Sequence, residues 1–165
     1  MRAFLRGHKI GTAVVSFVLV VALWYLFRPE KLFINKQVNE AAPFAQNDPD
    51  QPTYTGTFKA AIHETSGRAS VYRNSNGPLS LKLTNFHTSN GPDVHVVLAK
   101  SSDPALAKRS PGAALDSLEV APLRGNEGDQ EYTLPSNVDL AQYNTVTIYC
   151  ERFHAVFGSA MIQPF

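Results

Sequence analysis

Two kinds of residue could do chemistry in this 165-residue chain, a single cysteine and five histidines. Cys150 closes Thr145–Cys150, a β-branched and aromatic run with little polar interruption, so we predict a strand that ends on the thiol. Within this sequence the thiol has no cysteine partner, which leaves a free thiol, an intermolecular bridge or a ligand. A cysteine in an apolar strand is also often an inert packed residue, and the sequence leaves that alternative open.

Two residues after Cys150 bear on its reactivity. Arg152 is the only nearby cation in the sequence, and at i+2 on a strand it would share the face of Cys150 and favour a thiolate. His154 would share that face too. It would lie about 13 Å from Cys150, too far to share a metal unless the chain bulges at Glu151–Arg152.

Three further histidines are candidate ligands. We predict that His95 lies in mid-strand and faces opposite to Val94 and Val96, whereas His63 and His87 lie in turns. Most histidines in such places are hydrogen-bonded surface or core residues. Their spacing matches no metal motif, so we predict no metal site.

Other site classes find less support. Cys150, His154 and Met161 with an upstream histidine are similar to a blue-copper ligand set, but their spacing departs from the tight loop of such sites. Gly-x-Ser-x-Gly, His-Glu-x-x-His and paired-carboxylate patterns do not occur. Asp93 fits a strand-entry cap, and Glu127 with Asp129 fits a solvated hairpin tip better than a calcium site. We find no catalytic motif.

Charge and composition exclude one class of partner. The 15 Lys and Arg residues against 14 Asp and Glu residues give a net charge of +1, and they are scattered along the sequence. Without a basic patch we predict no nucleic-acid binding.

An apolar segment near the start predicts a membrane span. Ile10–Phe27 runs without a charge and as a helix would be about 27 Å long, close to the thickness of a bilayer core. Trp24 and Tyr25 near its end suit the headgroup region. We therefore predict a signal-anchor helix from Ile10 to Phe27, with the lipid bilayer as its partner.

A cleaved signal peptide is the rival interpretation of this segment. The residues that follow it, 28–31, read Arg-Pro-Glu-Lys and offer no small-x-small cleavage site. The flanking basic residues are nearly balanced, so the positive-inside rule favours a cytoplasmic N-terminus only weakly. We predict a single-pass protein of the cell membrane, with residues 1–9 cytoplasmic and the C-terminal domain extracytoplasmic.

The rest of the chain divides into a linker and one domain. Residues 28–52 are rich in Pro, Asn and Gln and have no apolar period, which predicts a flexible linker. From residue 53 to 165, short period-two segments alternate with Gly, Asn and Pro, which predicts an antiparallel β-sandwich of seven to ten strands. The predicted strands are Tyr54–Ala60, Ala69–Arg73, Leu79–Phe86, Asp93–Lys100, Leu115–Val120, Gln130–Leu134, Thr145–Cys150 and Phe153–Ile162. The predicted connections are turns at Asn74–Pro78 and Gly125–Asp129, a loop at Ser101–Gly112, and a crossing at Pro135–Asn144 with about one helical turn.

The order of these elements resembles the DM-thirteen domain, a small all-β module of extracytoplasmic proteins. The resemblance spans about residues 54–162, essentially the whole soluble part. The matching pieces are Gly56-Thr57-Phe58, His63, Ser66-Gly67, Leu83–Phe86, Gly91–Leu98, Gly125–Pro135, Val146–Cys150, Phe153, Phe157-Gly158 and Ala160.

The resemblance implies a β-sandwich with a proposed electron-transfer role, which in animal members lies beside haem-binding domains on the cell surface. It implies that Cys150 is the signature cysteine, either a redox thiol or a ligand to a group such as haem. Of the candidate histidines, His95 and His63 are those that we predict to complete a cofactor site. The sequence does not identify the cofactor, for which haem and no cofactor are both open, and the expected partner is a redox or surface protein. The alternative is a binding module that displays His87–Pro92 and Ser101–Gly112, with Cys150 merely packed.

Overall fold

The structure is a computed structural model that describes residues 2–27, 30, 34–40, 51–73, 78–100 and 115–165. It contains one helix followed by ten strands in these residues. The elements are α1 (Arg2–Phe27), β1 (Tyr54–Thr57), β2 (Lys59–Ala60), β3 (Thr65–Arg73), β4 (Leu79–Thr88), β5 (Val94–Ala99), β6 (Ser117–Pro122), β7 (Gln130–Thr133), β8 (Thr145–Cys150), β9 (Ala155–Met161) and β10 (Gln163–Pro164).

The strands form two five-stranded sheets. The first sheet has the order β10-β1-β3-β4-β7 and the second the order β2-β9-β8-β5-β6. Every strand pairing is antiparallel. The apolar faces of the two sheets enclose one core. The predicted antiparallel sandwich of seven to ten strands is therefore confirmed.

The alternation of side chains explains how two strands position the core. In β4, Leu81 and Leu83 are fully buried while Lys82 between them is partly exposed, because successive side chains of a strand point to opposite faces. In β5, which lies between β8 and β6, both faces are covered. Val96 packs into the core between the sheets, and Val97 packs into a smaller apolar cluster on the outer face of the second sheet. This strand therefore lies in the interior of its sheet.

The predicted first strand, Tyr54–Ala60, is two strands in different sheets. β1 pairs with β3, and β2 pairs with β9. The break is at Phe58, which is buried in the core with its ring 5.4 Å from that of Phe86 in an edge-to-face contact. Because Phe58 enters the core at this point, the chain crosses there from one sheet to the other.

An irregularity in the β3–β4 pairing extends β4 beyond its predicted end. The register shifts between Ser66 and Arg68, and the intervening Gly67 has φ +112°. A Cβ on Gly67 would lie 2.8 Å from the carbonyl oxygen of Asn85, so the bulge requires glycine. Beyond the bulge β4 continues to Thr88, and His87 therefore lies in a strand and not in the predicted turn.

The remaining predicted boundaries differ in smaller ways. The predicted strand at residues 69–73 begins four residues earlier, at Thr65, and the last predicted strand begins two residues later, at Ala155. The predicted strand at 115–120 is β6, shifted by two residues. The crossing at 135–144 contains a single i to i+4 bond, from Tyr143 N–H to the Asp139 carbonyl oxygen at 2.8 Å. The loop Ser101–Gly112 and residues 74–77 of the predicted turn lie outside the described residues.

The helix α1 fits the length of a membrane span. Its window Lys9–Leu26 has a mean hydropathy of 2.0, and none of that window is buried against the rest of the protein. Such a helix could be a membrane anchor or a signal sequence.

Part of the predicted linker lies on the domain. In residues 34–40, hereafter the 34–40 segment, the Val38 N–H donates to the Glu127 carbonyl at 2.9 Å and the Glu40 N–H to the Asp129 carbonyl at 3.0 Å. The Glu40 carboxylate also accepts from Arg124 Nη1 at 2.5 Å and from the Glu131 N–H at 3.0 Å. This segment therefore covers the turn between β6 and β7, a contact that composition alone did not predict.

Candidate functional site

Cys150 is a free cysteine enclosed in the core. It is the last residue of β8, where its Cα partners are Val94 of β5 and Ala155 of β9. Its side chain belongs to the core cluster between the sheets and has no exposed surface. The predicted strand Thr145–Cys150 is confirmed to the residue, and it places the thiol at one end of the sandwich but beneath its surface.

The residues after Cys150 form a turn and do not continue the strand. The Glu151 N–H donates to the Asp93 carbonyl at 3.0 Å, and the chain then reverses into β9 at Ala155. Arg152 is therefore exposed and does not share the enclosed face of Cys150, contrary to the prediction. Its Nη1 donates instead to the carbonyl oxygen of Leu26 in α1, at 2.6 Å.

His154 also points away from the thiol. It has a positive φ of 48°, and its Nδ1 lies 3.0 Å from the hydroxyl of Tyr149. Tyr149 belongs to the outer-face cluster, whereas Cys150 belongs to the core. The turn thus directs His154 to the far side of the sheet from Cys150.

His95 lies on the outer face of the second sheet, as predicted, opposite to Val94 and Val96. Its Nδ1 is 2.7 Å from a carboxylate oxygen of Glu119, and its Nε2 is 3.1 Å from one of Asp93. Partial burial works to lower the pKa of His95, but the two carboxylates outweigh it and the pKa is raised. The carboxylates hold both ring nitrogens of His95 and favour its protonated form.

His63 and His87 have neighbours of different kinds. The ring of His63 packs on the ring of Phe157, with centroids 4.0 Å apart, and burial lowers the pKa of His63. His87 lies 3.6 Å from a carboxylate oxygen of Glu127. Glu127 also accepts from the amide of Asn35 at 3.0 Å, so this carboxylate serves the contact with the 34–40 segment.

The proposed cofactor residues do not come together as one ligand set. Cys150 and His95 lie on opposite faces of the same sheet, because Cys150 pairs with Val94 and His95 pairs with Tyr149. Within the described residues, no group of three or more His, Cys, Asp or Glu residues is placed to hold a metal ion. Haem fits these residues poorly, since the thiol is enclosed and both nitrogens of His95 are engaged.

A cavity of about 500 Å³ lies at the same end of the sandwich as Cys150. Val94 belongs to its wall and also packs against the core cluster that contains Cys150. Sequence reasoning missed this cavity because its walls come from distant parts of the chain. These parts are residues 89–95, residues 122–126, and Glu30, Ile34 and Lys36 from the segment after the helix.

Comparison with known proteins gave one match. The family model described as electron transfer DM13 matches residues 57–162, which is more than half of the chain and nearly the whole sandwich. A search of curated proteins and a search of solved structures each found no match. The matched residues include strands β2 to β9, the enclosed Cys150 and both walls of the cavity that the sandwich contributes. This chain therefore belongs to the DM13 family, the DM-thirteen domain that its motifs resemble.

Proposed function

We propose that this chain is a membrane-anchored electron-transfer module that holds its sandwich outside the cytosol, with Cys150 as its redox centre. The observation that carries the proposal is the family match over residues 57–162, whose description is electron transfer. The exposed apolar surface of α1 supports the anchor, because a helix of this length and hydropathy is stable in a bilayer core.

The burial of Cys150 sets a condition on this function. A thiol reacts or ligates as its thiolate, which forms readily only where water or a cation stabilises the charge. Cys150 has no exposed surface in the folded domain. Electron transfer through the thiol therefore requires the end of the sandwich near Val94 and Ala155 to open, or a partner that opens it.

The redox role is tested by the reactivity and the spectrum of the full chain purified in detergent. A visible chromophore that is lost in Cys150→Ala, or labelling of the native thiol at neutral pH that changes with applied potential, supports the proposal. A colourless protein whose thiol reacts only after global unfolding contradicts it. The Thr147→Ala variant is the matched control, since Thr147 is also fully buried in β8 but carries no thiol.

The anchor and its orientation need a separate test. Protease added to intact cells should remove the sandwich while α1 stays in the membrane fraction. A sandwich that is protected in intact cells and cut only after lysis would reverse the orientation. A chain that is found free of the membrane, shortened by the length of α1, would identify a cleaved signal sequence instead.

A binding module is the second candidate function. The cavity of about 500 Å³ and the enclosed thiol favour it, because a pocket with mixed walls binds a ligand without any use of Cys150. Residues 89–92 of the predicted display loop line that cavity. If binding is the function, Cys150→Ala keeps it fully, whereas substitution of Asn90 in the cavity wall weakens it.

A further inference from the structure

The turn at the end of β8 is joined directly to the end of the helix. The guanidinium of Arg152 donates to the Leu26 carbonyl oxygen at 2.6 Å. Leu26 is the last residue of the 18-residue apolar window of α1. The last carbonyls of a helix lack partners within the helix, and a basic side chain satisfies them well. The turn thus lies within one side chain's length of the point where the span ends.

The surface at this end of the sandwich carries apolar side chains that the domain leaves exposed. Phe153, next to Arg152 in the turn, is 54% exposed. Ile62 is 46% exposed, and its N–H donates to the Val156 carbonyl at 3.2 Å, so its loop lies beside the start of β9 and next to that turn. The free energy falls when exposed aromatic and aliphatic side chains leave water and enter the headgroup region of a bilayer.

The end of α1 marks the depth of the lipid headgroup region. Trp24 and Tyr25 lie in its last turns and are 59% and 81% exposed, as expected of rings that meet lipid headgroups. A hydrogen bond from Arg152 to Leu26 brings Phe153 to nearly the same depth. Arginine also suits this level, because its guanidinium can bond to helix carbonyls and lipid phosphates together.

We propose that the end of the sandwich formed by the 151–154 turn and the 61–64 loop docks on the bilayer surface, with Phe153 and Ile62 among the lipid headgroups. This inference rests on the membrane anchor proposed above, but not on any redox role of Cys150. The sandwich would then rest on the membrane surface with the same end always facing the lipid. Cys150 and the cavity then lie at the membrane-facing end.

A single tryptophan label measures the docking directly. Trp24 is the only tryptophan of the chain, so Phe153→Trp in a Trp24→Phe background leaves one reporter at the turn. The full chain is reconstituted in phosphatidylcholine vesicles with or without bromine on the acyl chains. We expect brominated lipid to quench the Phe153→Trp label nearly as strongly as it quenches Trp24 in the unmodified chain. An Ile62→Trp label, made in the same background, provides an independent second position.

The matched control lies at the opposite end of the sandwich. Phe165 is 68% exposed, and its N–H donates to the Thr53 carbonyl next to β1. A Phe165→Trp label in the same background should show no quenching by brominated lipid. Equal quenching of the two ends, or none at either, would overturn the docking.

Washing the vesicles at alkaline pH distinguishes a chain that is anchored but not docked from a chain that is not anchored at all. If the chain stays in the vesicles but the labels at 153 and 62 are not quenched, the anchor stands and the docking is wrong. If the chain is extracted from the vesicles, both the anchor and the docking are wrong. Arg152→Ala should reduce quenching of the Phe153→Trp label while the chain stays in the vesicles, whereas Arg73→Ala, at the far end of β3, should leave it unchanged.

Discussion

Val94 and Cys150 are Cα partners in the pairing of β5 with β8, and Val94 is the one that also reaches the cavity wall. Cys150 has no exposed surface, whereas Val94 is partly exposed and packs against the cluster that encloses the thiol. The shortest way to uncover the thiol from the cavity is therefore to remove atoms from the Val94 side chain.

Val94→Ala should increase the rate at which a small thiol reagent labels Cys150 in the native protein. The variant removes two methyl groups at the place where the cavity meets the core. Val97→Ala is the matched control, because Val97 is buried in the same strand but on the outer face. Labelling that rises equally in both variants would indicate general destabilisation and would contradict a local path to the thiol.

Much of the fold could be predicted from the sequence because the strands carry local patterns. The alternation in β4 and the apolar runs of β5 and β8 are set by short-range periodicity. The split at Phe58 was not predictable, since it depends on where Phe86 lies across the core. The contact of Glu40 with Arg124 joins residues 84 positions apart, and composition marked that region only as a linker.

The candidate site was less predictable than the fold. The alternation of side chains along a strand predicted that His95 faces opposite to Val94 and Val96, and the structure confirms this. The hydrogen-bond partners of His95 could not be predicted, because Glu119 lies in β6 and the register between β5 and β6 depends on long-range pairing. The prediction that Arg152 shares the face of Cys150 assumed that the strand continues past Cys150, whereas β8 ends at Cys150. No strong turn signal occurs there, because Glu151–His154 contains neither Gly nor Pro.

Replacing the thiol should separate its packing from its chemistry. Cys150→Ser places a hydroxyl in an apolar core and should lower the free energy of unfolding by roughly 1–3 kcal/mol. Cys150→Ala removes only one buried heavy atom and should cost about 1 kcal/mol. Urea unfolding of the full chain in detergent, followed by circular dichroism, measures both. Equal stability of the serine variant and the wild type would show that water reaches position 150.

The His95 ion pairs should make stability depend on pH. The pKa of His95 is raised above 6.5 in the folded protein, so the protonated form is favoured there. Its contribution is fully present below about pH 6.5 and is lost as the pH rises through the folded pKa. The effect should not exceed about 1 kcal/mol, because both carboxylates are well exposed to water.

Unfolding of wild type and His95→Gln at pH 6 and at pH 8.5 tests this dependence. The difference in stability between the two proteins should be larger at pH 6. His87→Gln is the control, since His87 pairs with a single carboxylate among the described residues, at 3.6 Å. A difference that grows toward pH 8.5 would mean that His95 is held neutral in the folded protein.

The Glu40–Arg124 pair should hold the 34–40 segment on the domain. Burial works to raise the pKa of Glu40, but the Glu131 N–H and Arg124 outweigh it and leave the pKa below 4.5. Stability from Glu40 is therefore present above about pH 4.5 and is lost as the pH falls through the lower folded value. A double-mutant cycle of Glu40→Gln and Arg124→Gln should give a coupling of about 0.5–1 kcal/mol at pH 7.

The same cycle on the exposed pair Lys100–Asp116, whose charged atoms lie 3.5 Å apart, should give a smaller coupling. Hydrogen exchange at the Glu40 amide should speed up in either single variant of the Glu40–Arg124 pair, since that amide is bonded to the Asp129 carbonyl. Unchanged exchange would show that the backbone bonds alone hold the segment.

Gly128→Ala should detach the 34–40 segment without unfolding the sandwich. Gly128 has φ +95°, and a Cβ there would lie 2.0 Å from the carbonyl oxygen of Val38. The left-handed conformation alone costs an alanine about 1–2 kcal/mol, and the contact with Val38 adds to it. Exchange at the Val38 amide should rise sharply while the strand signal in circular dichroism persists. Gly11→Ala, where the added Cβ meets nothing within 4 Å, is the matched control, and detachment in that variant would refute the assignment of the effect to Gly128.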